Sequence, residues 1–232
     1  MPGTDPAAAP DHGPVRDAAT VILIRDRGAG PSVLMGQRGQ GASFMPSKYV
    51  FPGGAVDAAD RGVLSPGDLD AQSATRLCIE AEPGIGPGLA AAAIRELCEE
   101  TGQMLARPGF WDGPATGVWS AFAERGRVPD PLPLSFVFRA ITPPGRTRRF
   151  DARFFLADAD ALATDADDFS GASGELSHLH WVPLAEARAL NLPFITEIVL
   201  AEVAHRLAKG DDGLGVPFFD NRGPAPLFRR LA

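Results

Sequence analysis

The tightest constraint in this chain is a crowd of acids on one short helix. Residues 89–101 read LAAAAIRELCEET, mostly strong helix formers, between the proline- and glycine-rich stretch 82–88 and Gly102. The pattern predicts a helix over 89–101, with 82–88 as a break before it and Gly102 as its stop. Glu96, Glu99 and Glu100 stand at i, i+3 and i+4, within about 100° of arc, so they share one face. Ile94, Leu97 and Thr101 fall on the other side and can enter a core. Like charges at this spacing cost a helix roughly 0.2–0.5 kcal/mol per pair. Glu99 and Glu100 also lie at the C-terminal end, where the helix dipole disfavours anions. A divalent cation reverses both penalties, and Mg²⁺ takes oxygen ligands of this kind while bridging to phosphates.

A solvated surface would also tolerate an acidic face, so a second segment matters. FPGGAVDAAD at 51–60 sets Gly53-Gly54 directly after a predicted strand. A glycine pair lets the backbone approach a ligand and leaves the Gly54 carbonyl free to coordinate a cation. Around these segments, strands are expected at 20–25, 32–38, 48–52, 134–141, 150–157 and 179–182. Helices are expected over 65–82, within 113–126, and over 183–190 and 193–209, the last two opening at prolines. Strands and helices mix without strict alternation. The fold class is therefore α+β, an α/β/α arrangement with a mixed sheet.

Composition sets the outer bounds. A length of 232 residues, 45% of them hydrophobic, with mean hydropathy −0.02, fits one sizeable soluble globular domain. Residues 1–16 read as a flexible N-terminal tail without a signal-peptide pattern, leaving 17–232 as the domain. Cys78 and Cys98 are too few for a disulfide framework or a cysteine zinc site, which points to a reducing cytoplasm. The apolar runs fall far short of the roughly 18 residues that cross a membrane. A net charge of −7 argues against a nucleic-acid partner. It still permits a phosphate-bearing small molecule, because a metal or an arginine cluster reverses the local field.

Together the two segments resemble the Nudix box, G-x5-E-x7-R-E-U-x-E-E-x-G-U, where U is a bulky apolar residue. Gly54 stands at the first glycine, Asp60 where the family has glutamate, and Arg95, Glu96, Leu97, Glu99, Glu100 and Gly102 fill the second half. The chain departs from the pattern twice. Positions 61–94 hold 34 residues where the family has seven, which places an insertion over 61–88, and Gln103 replaces the final apolar residue. The stretch 36–60, the insertion and TPPGRTRRFDARFFL at 142–156 are similar to a split-box branch of the family. The mammalian peroxisomal member of that branch hydrolyses coenzyme A and acyl-CoA.

The resemblance implies a Nudix fold and a hydrolase, dependent on Mg²⁺ or Mn²⁺, that cleaves the pyrophosphate bond of a nucleoside diphosphate derivative of CoA or acyl-CoA type. ADP-ribose, NADH and dinucleoside polyphosphates stay open as substrates. So do a non-catalytic ligand-binding module and a metal-dependent isomerase. By the same resemblance, Glu99 and Glu100 are the principal metal ligands, joined by the Gly54 carbonyl. Glu96 is a further ligand or the group that orients or deprotonates water, and Arg95 orients a helix glutamate by ion pairing. Glu175, in the polar loop 164–178, is the candidate for an extra acid from outside the box. Arg146, Arg148 and Arg149 form an arginine-rich turn suited to bidentate phosphate contacts, with a plain solvated turn as the alternative. His178 and His180 are expected to be structural, Trp111 and Trp119 to pack against helices, and Asp165, Asp167 and Asp168 to lack the pattern of a calcium loop. The chain ends Arg230-Leu231-Ala232, without a peroxisomal signal. The insertion could be a lid, a dimer contact or a spacer, and a homodimer is among the open assembly states.

Overall fold

The run TVILIR belongs to a longer strand, β1 (Val15–Arg25), in a computed structural model that describes residues 14–42, 44–223 and 225–232. Residues 1–13, most of the expected tail, lie outside the described residues, and Val15 and Arg16 already pair within the sheet. Strand β1 is buried on both faces because it lies inside the sheet. It pairs antiparallel with β2 (Ser32–Arg38), which in turn pairs with β3 (Tyr49–Val50), and antiparallel with β4 (Gly53–Ala55), the glycine pair itself.

Beyond β4 a single turn, Ala58–Gly62, carries Asp60, and the insertion that follows forms a second turn, Pro66–Asp68, and a short helix α1 (Ala71–Leu77) capped by Asp70. The long helix expected over 65–82 is thus replaced by pieces, and the chain leaves α1 through Glu80 at φ 48°. The helix that bears the acids, α2 (Ile85–Thr101), starts earlier than expected. The stretch 82–88 is no break: Gly84 at φ 78° opens the helix, and Pro87 sits in the first turn, where its missing N–H has no helical partner. Gly86 and Gly88 face Leu77 and Arg61.

After α2 come a hairpin of β5 (Ala106–Pro108) and β6 (Arg127–Pro129) that encloses α3 (Val118–Glu124). Strand β7 (Ser135–Ile141) pairs antiparallel with β8 (Arg149–Asp158), and β8 runs parallel to β1. Strand β9 (Leu176–Pro183) pairs with β2 as far as Pro183, so the helix expected over 183–190 shrinks to the turn Ala187–Ala189. Helix α4 (Phe194–Lys209) follows, then two strands absent from the sequence expectations, β10 (Val216–Asp220) and β11 (Leu227–Leu231). Among the described residues the sheet has nine strands, ordered β11-β10-β7-β8-β1-β2-β3 with β4 on β1 and β9 on β2.

Alternation along the strands fills two cores. Val21, Leu23, Phe155 and Phe218 meet α2, whereas Ile22, Ile24, Phe138 and Phe154 meet Val199, Leu200 and Val203 of α4. Each such side chain, fully buried, contributes about 1.5–3 kcal/mol. The result is the expected α/β/α sandwich around a mixed sheet. The insertion completes the α2 layer where α2 does not reach. Ser73 Oγ donates to the Leu134 carbonyl and accepts from the Phe136 N–H, and Arg139 donates to the carbonyls of Ile79 and Glu80. Arg76 pairs with Asp211, and Glu80 with Arg222 and Arg229 of the C-terminal hairpin. Among the described residues, no helix is long and apolar enough to cross a membrane.

Candidate active site

Strand β4 and the C-terminal half of α2 lie side by side, and their contact brings the two separated segments together. The Gly53 N–H donates to Glu100 Oε2 at 2.9 Å. Gly54 lies under the Glu96 carboxylate so closely that any Cβ there would overlap it. Arg95 ties the rest. Its Nε and Nη2 donate to the two oxygens of Asp60 at 2.9 and 3.0 Å, and Nη2 also reaches the Ala55 carbonyl at 3.0 Å. Its Nη1 donates to Glu96 Oε1 at 2.8 Å and Glu99 Oε2 at 3.1 Å. Asp60 is fully buried and accepts a further bond from the Asp57 N–H, so a two-pronged pair closes the motif across the insertion.

Charge is unevenly compensated in this cluster. Burial works against the Arg95 cation, yet the hydrogen bonds and charges of Asp60 and Glu96 outweigh it and raise its pKa. Burial pushes the Glu96 carboxyl up, against the pull of Arg95. Glu100 is only 3% exposed, and burial drives its carboxyl up to about 8, opposed by the Gly53 N–H and reinforced by Glu96. A carboxylate so poorly compensated is what a cation would neutralise. The donors are hard oxygens suited to Mg²⁺ or Mn²⁺. Among the described residues, however, no three acidic, histidine or cysteine side chains already converge on one point for an ion. Arg95 holds Glu99 instead. The fit is one of donor chemistry and proximity, without preformed coordination.

A family model described as the NUDIX domain matches residues 14–203. The chain belongs to the Nudix family. It is similar to the acyl-coenzyme A diphosphatase NUDT19 of Gallus gallus, with 29% identity over 74% of this chain and 62% of that protein. A nudix hydrolase of Caenorhabditis elegans, number 7, is 29% identical over 72% of this chain and 51% of its own length. The chain thus spans roughly half to two thirds of the length of these curated relatives. The crystal structure of a NUDIX hydrolase from Alicyclobacillus acidocaldarius superposes with a TM-score of 0.61 at 30% identity, covering 84% of this chain and 96% of that one.

The remaining expected residues of this Nudix chain divide into two groups. Glu175 is exposed and immediately precedes β9; it stands two residues after Ser173, whose N–H donates to the Glu99 carbonyl at 2.8 Å, and its charge is a minor contribution to the raised carboxyls of Glu96 and Glu100. Arg146, Arg148 and Arg149 lie apart from the cluster. Arg149 faces Val15 across the sheet whereas Gly54 faces Ala19, four residues further, or about 13 Å along the strands. Arg149 Nε closes its own turn on the Thr142 carbonyl, and Arg146 and Arg148 are exposed. In the adjoining segment Asp151 is structural, holding Arg139 through bonds of 2.8 and 2.7 Å.

Sequence reasoning missed Arg38 at the end of β2. Its Nε is buried with no hydrogen-bond partner among the described residues, and its charge lowers the Glu100 pKa. The available signal was a cation closing an otherwise apolar strand. His180 donates to the His178 carbonyl and packs on Tyr49, Trp111 donates to the Arg127 carbonyl, and Trp119 is buried against Phe122. Asp165 and Asp168 cap the backbone of their own loop.

Proposed function

We propose that residues 17–232 act as one Nudix domain with 61–88 inserted in its box. In this reading the domain hydrolyses the pyrophosphate bond of a nucleoside diphosphate derivative, of CoA or acyl-CoA type, with Mg²⁺ or Mn²⁺. The observation that carries it is Glu100: a buried, poorly compensated carboxylate on the Gly53 N–H, beside Glu96 over Gly54. When bound, the cation would neutralise phosphate charge and lower the pKa of a water. Glu99, Glu100 and the Gly54 carbonyl hold it in this reading. Glu96 is a further ligand or takes the proton of the attacking water, and Arg95 keeps Glu96 and Glu99 in place. Glu175 supplies the acid from outside the box. Arg38, with a buried Nε that has no partner among the described residues and a charge that lowers the Glu100 pKa, is the nearby cation this reading offers to a substrate phosphate.

Support for the substrate class comes from the likeness to the Gallus gallus acyl-coenzyme A diphosphatase. The distance of Arg146, Arg148 and Arg149 from the cluster suits a second phosphate on an extended ligand. The test is incubation with Mg²⁺ and each of CoA, acetyl-CoA, ADP-ribose, NADH and a diadenosine polyphosphate, with products read by mass spectrometry. Conversion of CoA to 3′,5′-ADP and 4′-phosphopantetheine is expected. Preference for ADP-ribose would remove the CoA reading and keep the catalytic one. Inertness toward all five, with Mn²⁺ shown to bind, would remove both.

A further inference from the structure

Gln103 occupies the position where the Nudix box ends in an apolar residue, and it is fully buried. A buried carboxamide is tolerated only when its donors and acceptor are matched. Here they are matched almost entirely by one loop. Nε2 donates to the carbonyls of Asp165 at 3.0 Å and Asp168 at 2.9 Å, and Oε1 accepts from Thr164 Oγ1 at 2.6 Å. Thr164 Oγ1 also accepts from the Met104 N–H at 3.2 Å, which locks the start of the loop to the segment between α2 and β5. An apolar residue at 103 would remove all three bonds; the Asp165 carbonyl would keep the Asp168 N–H and the Thr164 hydroxyl the Met104 N–H, but the loop would lose its side-chain tie to the chain after α2.

The same loop is pressed onto the end of α2. Gly102, at φ 78°, and Gly171 meet backbone to backbone, and a Cβ on Gly102 would stand 3.1 Å from the Gly171 Cα. The Ser173 N–H donates to the Glu99 carbonyl at 2.8 Å, satisfying a helix-end acceptor. Trp181 Nε1 donates to the Ala166 carbonyl at 3.0 Å, and Arg25 binds Asp167 at 2.7 Å. Two residues beyond Ser173 stands Glu175, whose charge bears on Glu96 and Glu100.

We propose that Gln103 is a positioning residue: its carboxamide clamps the 164–175 loop to the end of α2 so that Glu175, two residues beyond the Ser173 N–H that binds the Glu99 carbonyl, keeps a fixed place at the acidic end of that helix. The departure from an apolar box ending is then linked to recruiting an acid from outside the box. This inference rests on the hydrolase reading above and adds a mechanical dependence that reading does not contain.

The test uses Gln103→Met, which keeps length and loses all polar bonds, with Thr164→Val as a milder cut at the same joint. In the metal-free full chain, amide hydrogen exchange over 164–175 should accelerate about tenfold in Gln103→Met, with α2 unchanged. Turnover of CoA should fall about 10- to 100-fold with KM little changed, and less steeply in Thr164→Val. Glu175→Gln should cost far less in the Gln103→Met background than in the wild type, because the acid is already misplaced. Unchanged loop exchange in both variants would overturn the clamp, as would losses that simply multiply. If Glu175→Gln is silent in the wild type while Glu100→Gln is inactive, the positioning role is overturned and the hydrolase reading stands. If Glu99→Gln and Glu100→Gln are themselves fully active, the hydrolase site is wrong and the positioning role falls with it.

Discussion

In Glu100→Gln the amide oxygen can still accept the Gly53 N–H, which Glu100 Oε2 takes at 2.9 Å, while the buried charge disappears. In the wild type, burial raises the Glu100 carboxyl from 4.5 to about 8. The folded chain therefore keeps a proton that the unfolded chain releases above 4.5, so folding stability falls as pH rises between 4.5 and about 8. At about 1.4 kcal/mol per pH step, moving from pH 5 to pH 7 should cost the wild type about 3 kcal/mol that Glu100→Gln retains. Glu96, also raised by burial, is present in both proteins, so the difference between them reports Glu100 together with its coupling to Glu96. The assay is urea unfolding in EDTA at pH 5, 6, 7 and 8 for both proteins. The wild-type midpoint should drop across the series relative to the variant, and Mn²⁺ should restore it only in the wild type. The variant should be at least about a hundredfold slower in turnover, a typical loss when transition-state charge stabilisation is removed. Midpoints that track each other from pH 5 to pH 8 would refute the account of Glu100 as an uncompensated buried acid.

Arg95→Met leaves Asp60 buried without its ion partner and should cost about 3–5 kcal/mol of stability by chemical denaturation, with activity lost as well. Gly54→Ala must push the Glu96 carboxylate aside; activity should drop about a hundredfold while the circular dichroism spectrum stays that of the wild type. Replacing Arg148 and Arg149 together by alanine should raise KM for CoA much more than for a dinucleotide lacking the 3′-phosphate, measured by steady-state kinetics. Equal rises for both substrates would remove the 3′-phosphate contact, and unchanged KM for both would leave the turn a solvated one.

Helix periodicity made the acidic face readable, because Glu96, Glu99 and Glu100 need only the local turn of the chain to come together. The glycine pair was readable for the same reason: its meaning is local backbone freedom. What lay outside was set by partners distant in sequence. Asp60 finds Arg95 only after the insertion folds away, and Gln103 makes sense only once the 164–175 loop returns to it. The stretch 82–88 looked like a break because Pro87 and three glycines discourage a helix interior, but at a helix start they are tolerated. Strands β10 and β11 escaped notice because LFRRL reads as a charged tail. Arg229 is neutralised there by Glu80 and Asp220, residues that no local window contains. The tertiary environment supplied what the local pattern lacked.

From Ile85 to Ile94 every residue of α2 is buried, with the sheet beneath and the insertion and the segment after the helix above. A surface helix can fray and re-form on its own; one enclosed on all sides cannot, since freeing it means dismantling both layers. The acids of the last two turns are thus mounted on a shaft gripped at its far end by the core. Heating should abolish metal affinity and fold together, at one temperature, with no earlier stage in which the site softens while the body stays intact.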